Sequence, residues 1–140
     1  MTPEQKELVR VSFAQVGPIA DQAAGLFYDR LFVLDPSLRV LFPADLTAQR
    51  RNLMQMIAVA VAGLDRLDQI IPAVQALGQR HRGYGVPDSS YATVGVALIW
   101  TLEQGLGPAF TPATRAAWIA IYTLLSDTML TASVSPAVAD

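Results

Sequence analysis

The stretch Leu77-Gly78-Gln79-Arg80-His81-Arg82-Gly83-Tyr84-Gly85-Val86 decides how this chain is read. It carries the only histidine among 140 residues, at the end of an apolar segment and just before a turn punctuated by Gly83, Gly85 and Pro87. Imidazole is the commonest metal-binding side chain, and its charge ordinarily changes near neutral pH. On position alone, a lone histidine in an apolar chain is more often a hydrogen-bonded structural residue than a ligand. The rest of the sequence has to choose between those readings.

Composition narrows the choice. The chain is 52% hydrophobic and only 16% charged, so it holds more apolar surface than an ordinary domain of this size needs. Such an excess has three common outlets: a membrane, a large subunit interface or an internal cofactor pocket. Uncharged stretches such as Leu53–Leu64 and Ser89–Leu102 fall short of the roughly 18 residues of a spanning helix, so no integral membrane segment is expected. Glu4, Lys6, Glu7 and Arg10 leave no apolar signal-peptide region. Without cysteine, disulfides and thiolate-bound metals are excluded, which suits a reducing cytoplasm. A formal net charge of -2 offers no footprint for nucleic acid.

Outward from His81, the chain reads as helix after helix. Thr2-Pro3-Glu4-Gln5 is a start signal: Thr2 caps, Pro3 suits the first turn and Gln5 closes a capping box. The helix it opens is expected to turn Leu8, Val11 and Phe13/Ala14 inward and to stop at Gly17-Pro18. A second runs from about Pro18 to Leu34, with Ile19, Ala23, Leu26/Phe27 and Leu31 on one stripe and Tyr28 at its edge. Asp35-Pro36 closes it and opens a short helical segment, Pro36–Phe42, before a corner at Pro43-Ala44-Asp45.

Between Leu46 and Leu64 the period is again near 3.6, and Leu46, Leu53, Ile57, Val61 and Leu64 share a face. Gln49, one turn before Leu53, projects in nearly the same direction. A polar group on that inward face needs a partner. Residues 67 to 82 read as a helical region broken at Pro72 and Gly78. After the glycine turn, Asp88 or Ser89 is placed to cap a helix presenting Tyr91, Val94, Leu98, Leu102 and Leu106. Thr111-Pro112 starts the last helix, with Trp118, Ile121/Tyr122, Leu125 and Met129 inward. The fold class is therefore all-α, seven to eight helices of unequal length, with one domain over residues 1–132 and a flexible tail over 133–140.

By this point the chain resembles a globin, and more narrowly the haem domain of flavohaemoglobins and the related single-domain bacterial haemoglobins. Phe27-Tyr28 followed by Leu31-Phe32 and Asp35-Pro36 carries part of the resemblance, as do Val40-Leu41-Phe42 and the Gln49–Leu53 spacing. The most specific run is Leu77-Gly78 to His81, then Tyr84-Gly85-Val86, Tyr91, Val94-Gly95 and Leu102. It continues through Leu106-Gly107, Phe110-Thr111, Ala117-Trp118 and Tyr122. These elements keep their order over about residues 2 to 130.

The resemblance implies a fold enclosing one haem b, with His81 as the proximal iron ligand. A ligating imidazole must be neutral and oriented, and the Leu77 carbonyl one turn back is the natural acceptor for its Nδ1 proton. Phe42, Leu53, Val86, Tyr91 and Leu98 are implied as cofactor-binding residues. Arg80 is a candidate for a propionate contact and equally a solvated surface cation. Tyr28 and Gln49 match the distal positions. A dioxygen ligand draws negative charge, so two donors there predict slow release, while neutral carbon monoxide gains much less. The chain offers no second histidine for internal coordination. The resemblance also implies an electron-donating proximal network, but Ser133 stands where its glutamate is expected, which puts peroxidase-like activation in doubt.

The implied function is reversible binding of dioxygen and of other haem ligands, namely nitric oxide, carbon monoxide and cyanide. The alternatives are nitric oxide dioxygenation served by a separate reductase, since no G-x-G-x-x-G fingerprint is present, and a haem-based gas sensor. Bacterial relatives include monomers and homodimers, and both remain open here. Neither G-x-S-x-G nor H-E-x-x-H occurs, which removes the familiar hydrolase signatures.

Overall fold

The computed structural model describes residues 1–83 and 89–134, with side chains over 1–80 and 89–130. Six α-helices account for most of it: α1 (Pro3–Val16), α2 (Ala20–Leu34), α3 (Thr47–Ala62), α4 (Leu67–Gly83), α5 (Ser90–Leu106) and α6 (Pro112–Val134). Short 3₁₀ turns at Gly17–Ile19, Pro36–Leu41, Leu64–Arg66 and Gly107–Ala109 fill the joints, and no strand occurs among the described residues. Among the described residues the expected seven to eight helices become six α-helices, because the segment after Pro36 is 3₁₀ and the 67–82 region is not broken.

Local chemistry explains most boundaries. The Thr2 Oγ1 accepts from the Gln5 N–H at 3.1 Å, and the Gln5 Oε1 accepts from the Thr2 N–H at 3.0 Å, completing the expected box. Asp35 Oδ1 accepts from the Ser37 amide at 3.1 Å and from its hydroxyl at 2.5 Å, which starts the 3₁₀ turn behind Pro36. Asp45 does the same for Thr47 at the head of α3, and those two hydrogen bonds hold its carboxyl below the usual range. The Thr111 hydroxyl accepts from the Thr114 N–H at 3.2 Å at the head of α6. Ser89 departs from expectation. Its backbone is already helical and its side chain caps nothing, while Asp88 lies outside the described residues.

The region from 67 to 82 is one continuous helix, contrary to the expected breaks at Pro72 and Gly78. Pro72 has no N–H to offer the Asp68 carbonyl, but both residues are exposed, so that carbonyl is open to solvent. Gly78 serves a different purpose. A Cβ there would run into the Met129 backbone oxygen and sit 2.8 Å from the Met129 Cα, so glycine lets α4 and α6 cross at backbone contact.

The principal packing pairs are α4 on α6, α2 on α5, α1 on α6 and α2 on α3. Their shared core contains Val9, Val16, Phe27, Leu31, Leu64, Leu102, Trp118 and Ile121. On α1 the stripe falls one residue away from the expected one: Val9, Ser12 and Val16 are buried, Leu8 and Phe13 flank them, and Val11 is 49% exposed. The reason is a polar clip. Ser12 accepts from the Trp118 indole N–H at 2.8 Å and donates to the Leu8 carbonyl at 2.6 Å, which rotates α1 so that a hydroxyl faces the core. The α2, α5 and α6 stripes follow the expected residues. Helix α6 runs to Val134, and residues 135–140 of the expected tail lie outside the description.

Candidate functional site

Helices α2 and α3 and the corner between them bring Tyr28, Gln49 and Phe42 together, with Leu53 one turn beyond Gln49 on α3. Tyr28 is buried on α2 because its helix turns that face toward α3. Its hydroxyl donates to the Gln49 backbone carbonyl at 3.3 Å. That distance is long for an O–H···O bond, so the proton is loosely held and can be redirected. Burial pushes the phenol up to about 12, which keeps it a protonated donor throughout the neutral range.

Around the Tyr28 ring stands an aromatic wall. The Tyr28 ring meets Phe42 edge-on at 5.6 Å, Phe32 lies 6.1 Å away, and Phe32 and Phe42 meet edge-on at 5.5 Å. Arg39 holds the corner that carries Phe42. Its guanidinium donates to the carbonyls of Phe42, Pro43 and Ala44 at 3.1, 2.9 and 3.2 Å and lies 5.3 Å over the Phe32 ring. Neither Phe32 nor Arg39 stood among the expected site residues. The available signal was a cation in the last turn before Pro43, where unpaired carbonyls accumulate.

Gln49 is half-buried on α3, and its Oε1 is shut off from solvent with no hydrogen-bond partner. Turning the amide over would exchange an unpaired acceptor for unpaired donors. An orphaned buried amide oxygen normally costs about 1–3 kcal/mol; the Arg30 and Arg50 Nε atoms are buried without partners as well. Leu53, one turn on, is half-buried and joins Ile57 and Val61 in packing against the core.

From the other side, α5 contributes Tyr91 and Leu98, both 9% exposed. The Tyr122 hydroxyl on α6 donates to the Tyr91 carbonyl at 2.5 Å, and its ring lies so close over Gly95 that a Cβ there would meet it at 2.8 Å. Burial raises the Tyr122 phenol strongly, with the Tyr91 phenol adding to it. This clamp ties the start of α5 to α6. Leu77 is half-buried and Arg80 is exposed near the end of α4. His81 falls within α4, but its side chain, all of Val86 and the Ser133 side chain lie outside the described residues. The structure therefore brings Tyr28, Gln49 and Phe42 together, sets Leu53 one turn beyond Gln49, and leaves Arg80 facing solvent.

Among the described residues, no group of three or more acidic, histidine or cysteine side chains could hold a bare metal ion, and no helix is long and apolar enough to cross a membrane. The globin family profile matches residues 25–129. The chain is 31% identical to neuroglobin from Danio rerio over 92% of its own length and 90% of that protein's. It is 30% identical to the flavohemoprotein of Bacillus subtilis over 89% of its own length, spanning 32% of that larger protein. A bacterial globin from Campylobacter jejuni has the same fold, with a TM-score of 0.83, 21% identity and coverage of 94% of this chain and 96% of that one. So does an engineered carbene transferase from Rhodothermus marinus, provisionally assigned as a nitric oxide dioxygenase, at a TM-score of 0.87, 22% identity and coverage of 100% and 99%. With three-quarters of its length inside the family match and its helices in the same arrangement, the chain belongs to the globin family, whose members bind haem and, through it, gaseous ligands.

Proposed function

We propose that this chain holds one haem b through the His81 imidazole and binds dioxygen reversibly, with Tyr28 and Gln49 donating to the ligand. The observation that carries this reading is a protonated buried phenol, walled by Phe42, that bonds the backbone of Gln49, whose own buried amide oxygen has no partner. The bound haem supplies an iron site for a small gas. Every other part is played by side chains of the chain. Phe42 and Leu53 keep water from the distal side, and the Leu77 carbonyl orients His81 by accepting its Nδ1 proton. The loosely held Tyr28 proton turns from the Gln49 carbonyl to the ligand. The Gln49 amide, turned over, presents its Nε2 donor to the ligand in place of the unpaired Oε1. A hydrogen bond to a charged acceptor contributes about 1.5–3 kcal/mol, which slows release roughly tenfold to a hundredfold.

A second reading, nitric oxide dioxygenation, is favoured by the similarity to the Bacillus subtilis flavohemoprotein and the Rhodothermus marinus structure. It uses the same two donors and needs electrons from a reductase beyond the residues read here. Absorption spectroscopy tests the common core. Protein expressed with haem available gives a strong Soret band that collapses in His81→Gly, and an unchanged band in that variant refutes the assignment. Sustained nitric oxide consumption with a reductase present selects the enzyme, and a single stoichiometric turnover selects the binder.

A further inference from the structure

Between Leu41 and Thr47 the chain has no helix, and its path there rests on one side chain. The Phe42 N–H donates to the Arg39 carbonyl at 3.2 Å, and the Arg39 guanidinium reaches forward to three successive carbonyls, those of Phe42, Pro43 and Ala44. Pro43 has no N–H, and no main-chain bond involves Pro43, Ala44 or Asp45 among the described residues. Nor does a carboxylate pair with Arg39 among them. The cation is held by neutral carbonyls and by the face of Phe32, 5.3 Å away. Arginine suits this place because its planar fork aims several N–H donors in fixed directions and stacks flat on a ring. A lysine ammonium is a compact charge on a flexible stem.

Both attachments reach Tyr28. Phe32, beneath the guanidinium, lies 6.1 Å from the Tyr28 ring, and Phe42, whose carbonyl the guanidinium holds, meets that ring edge-on at 5.6 Å. The corner also leads straight into α3 at Thr47, two residues before Gln49, whose carbonyl takes the Tyr28 proton. The two rings packed on the phenol and the start of the helix that carries its acceptor thus share one anchor. Hydrogen bonds weaken steeply as the donor angle closes. A small swing of the phenol therefore changes its bond to a ligand far more than it changes the room for one.

We propose that Arg39 is a positioning residue for the distal site. Through Phe32 and the main chain of residues 42–44 it sets the aim of the Tyr28 hydroxyl, and so how long dioxygen is held, without contacting the ligand itself. The proposal rests on the distal assignment made above. The effect is one of geometry and not of charge.

Two variants separate these. Arg39→Met keeps an unbranched stem and loses every donor, while Arg39→Lys keeps the charge and loses the fork. In the haem-loaded protein both should release dioxygen severalfold faster in stopped flow, with carbon monoxide association and the Soret band hardly changed. In a Tyr28→Phe background Arg39→Met should add no further acceleration, because the two residues act as one unit. In the haem-free protein, amide hydrogen exchange over residues 42–50 should quicken severalfold in both variants. Wild-type exchange there, or wild-type release from Arg39→Met, overturns the proposal. So does wild-type release from Arg39→Lys, since charge alone would then suffice. Equal acceleration by Arg39→Met with and without the Tyr28 hydroxyl also overturns it, by making Arg39 merely structural. Wild-type release from Tyr28→Phe alone refutes the distal reading, and the aim proposed here falls with it; fast release from Tyr28→Phe beside unchanged release from Arg39→Met refutes the aim alone.

Discussion

Replacing Gln49 with leucine should make the protein more stable and a poorer keeper of dioxygen at the same time. The Gln49 Oε1 is buried without a partner, and the Tyr28 hydroxyl bonds to the Gln49 backbone carbonyl, which leucine retains. Removing the orphan recovers part of its ~1–3 kcal/mol desolvation cost, and the leucine adds apolar contact beside Leu53. A gain of about 1–2 kcal/mol follows. With a urea slope on the order of 2 kcal/mol/M, the unfolding midpoint should rise by roughly 0.5–1 M. Equilibrium urea unfolding of the ligand-free protein measures this directly. Stopped-flow release of dioxygen from the same variant should quicken about tenfold, and carbon monoxide release should change little. A midpoint at or below wild type would refute the stability argument. An unchanged dioxygen rate would refute the distal role of the amide.

Three further outcomes follow from the packing. Ser12→Ala leaves the buried Trp118 N–H without its acceptor and should cost about 1–3 kcal/mol, a fall of several degrees in thermal midpoint; a midpoint within a degree of wild type would show the clip to be idle. Gly78→Ala should destabilise by about 1–3 kcal/mol or more although alanine is the better helix former, because its Cβ meets the Met129 backbone; thermal unfolding decides, and a gain in stability would mean that α4 and α6 do not cross there. Stability should fall as pH rises from about 10 toward about 12. Tyr28 stays protonated in the folded state up to about 12, whereas the unfolded phenol ionises near 10, so the unfolded state loses its proton first; Tyr122 acts in the same direction. Denaturation series at those pH values should show a shallower decline in Tyr28→Phe, and an identical slope would refute the burial argument.

How much of this was legible beforehand depends on the range of each interaction. The Thr2–Gln5 capping box, the proline starts and the Asp35 corner bind residues two to four apart, and each was readable from the order of residues. The stripes of α2, α5 and α6 were readable as well, since a run of large side chains at helical spacing leaves little freedom over which face turns inward. On α1 the pattern misled, because Ser12 is held inward by Trp118, 106 residues away. Arg39 was overlooked for a related reason: its role depends on the path of the corner after Phe42, which the period of a helix does not describe.

The site divides along the same line. The resemblance carried by Tyr28, Phe42, Gln49, Leu53 and His81 already pointed to the globins and implied which residues share a pocket. Only the tertiary structure revealed that Tyr28 bonds to the Gln49 main chain, that the Gln49 amide oxygen is left unpaired, and that Gly78 is a crossing point within an unbroken helix. Local order specifies caps and faces because those bonds close within a turn. Satisfaction and close approach depend on how whole helices settle against one another, and that is decided by the entire core at once.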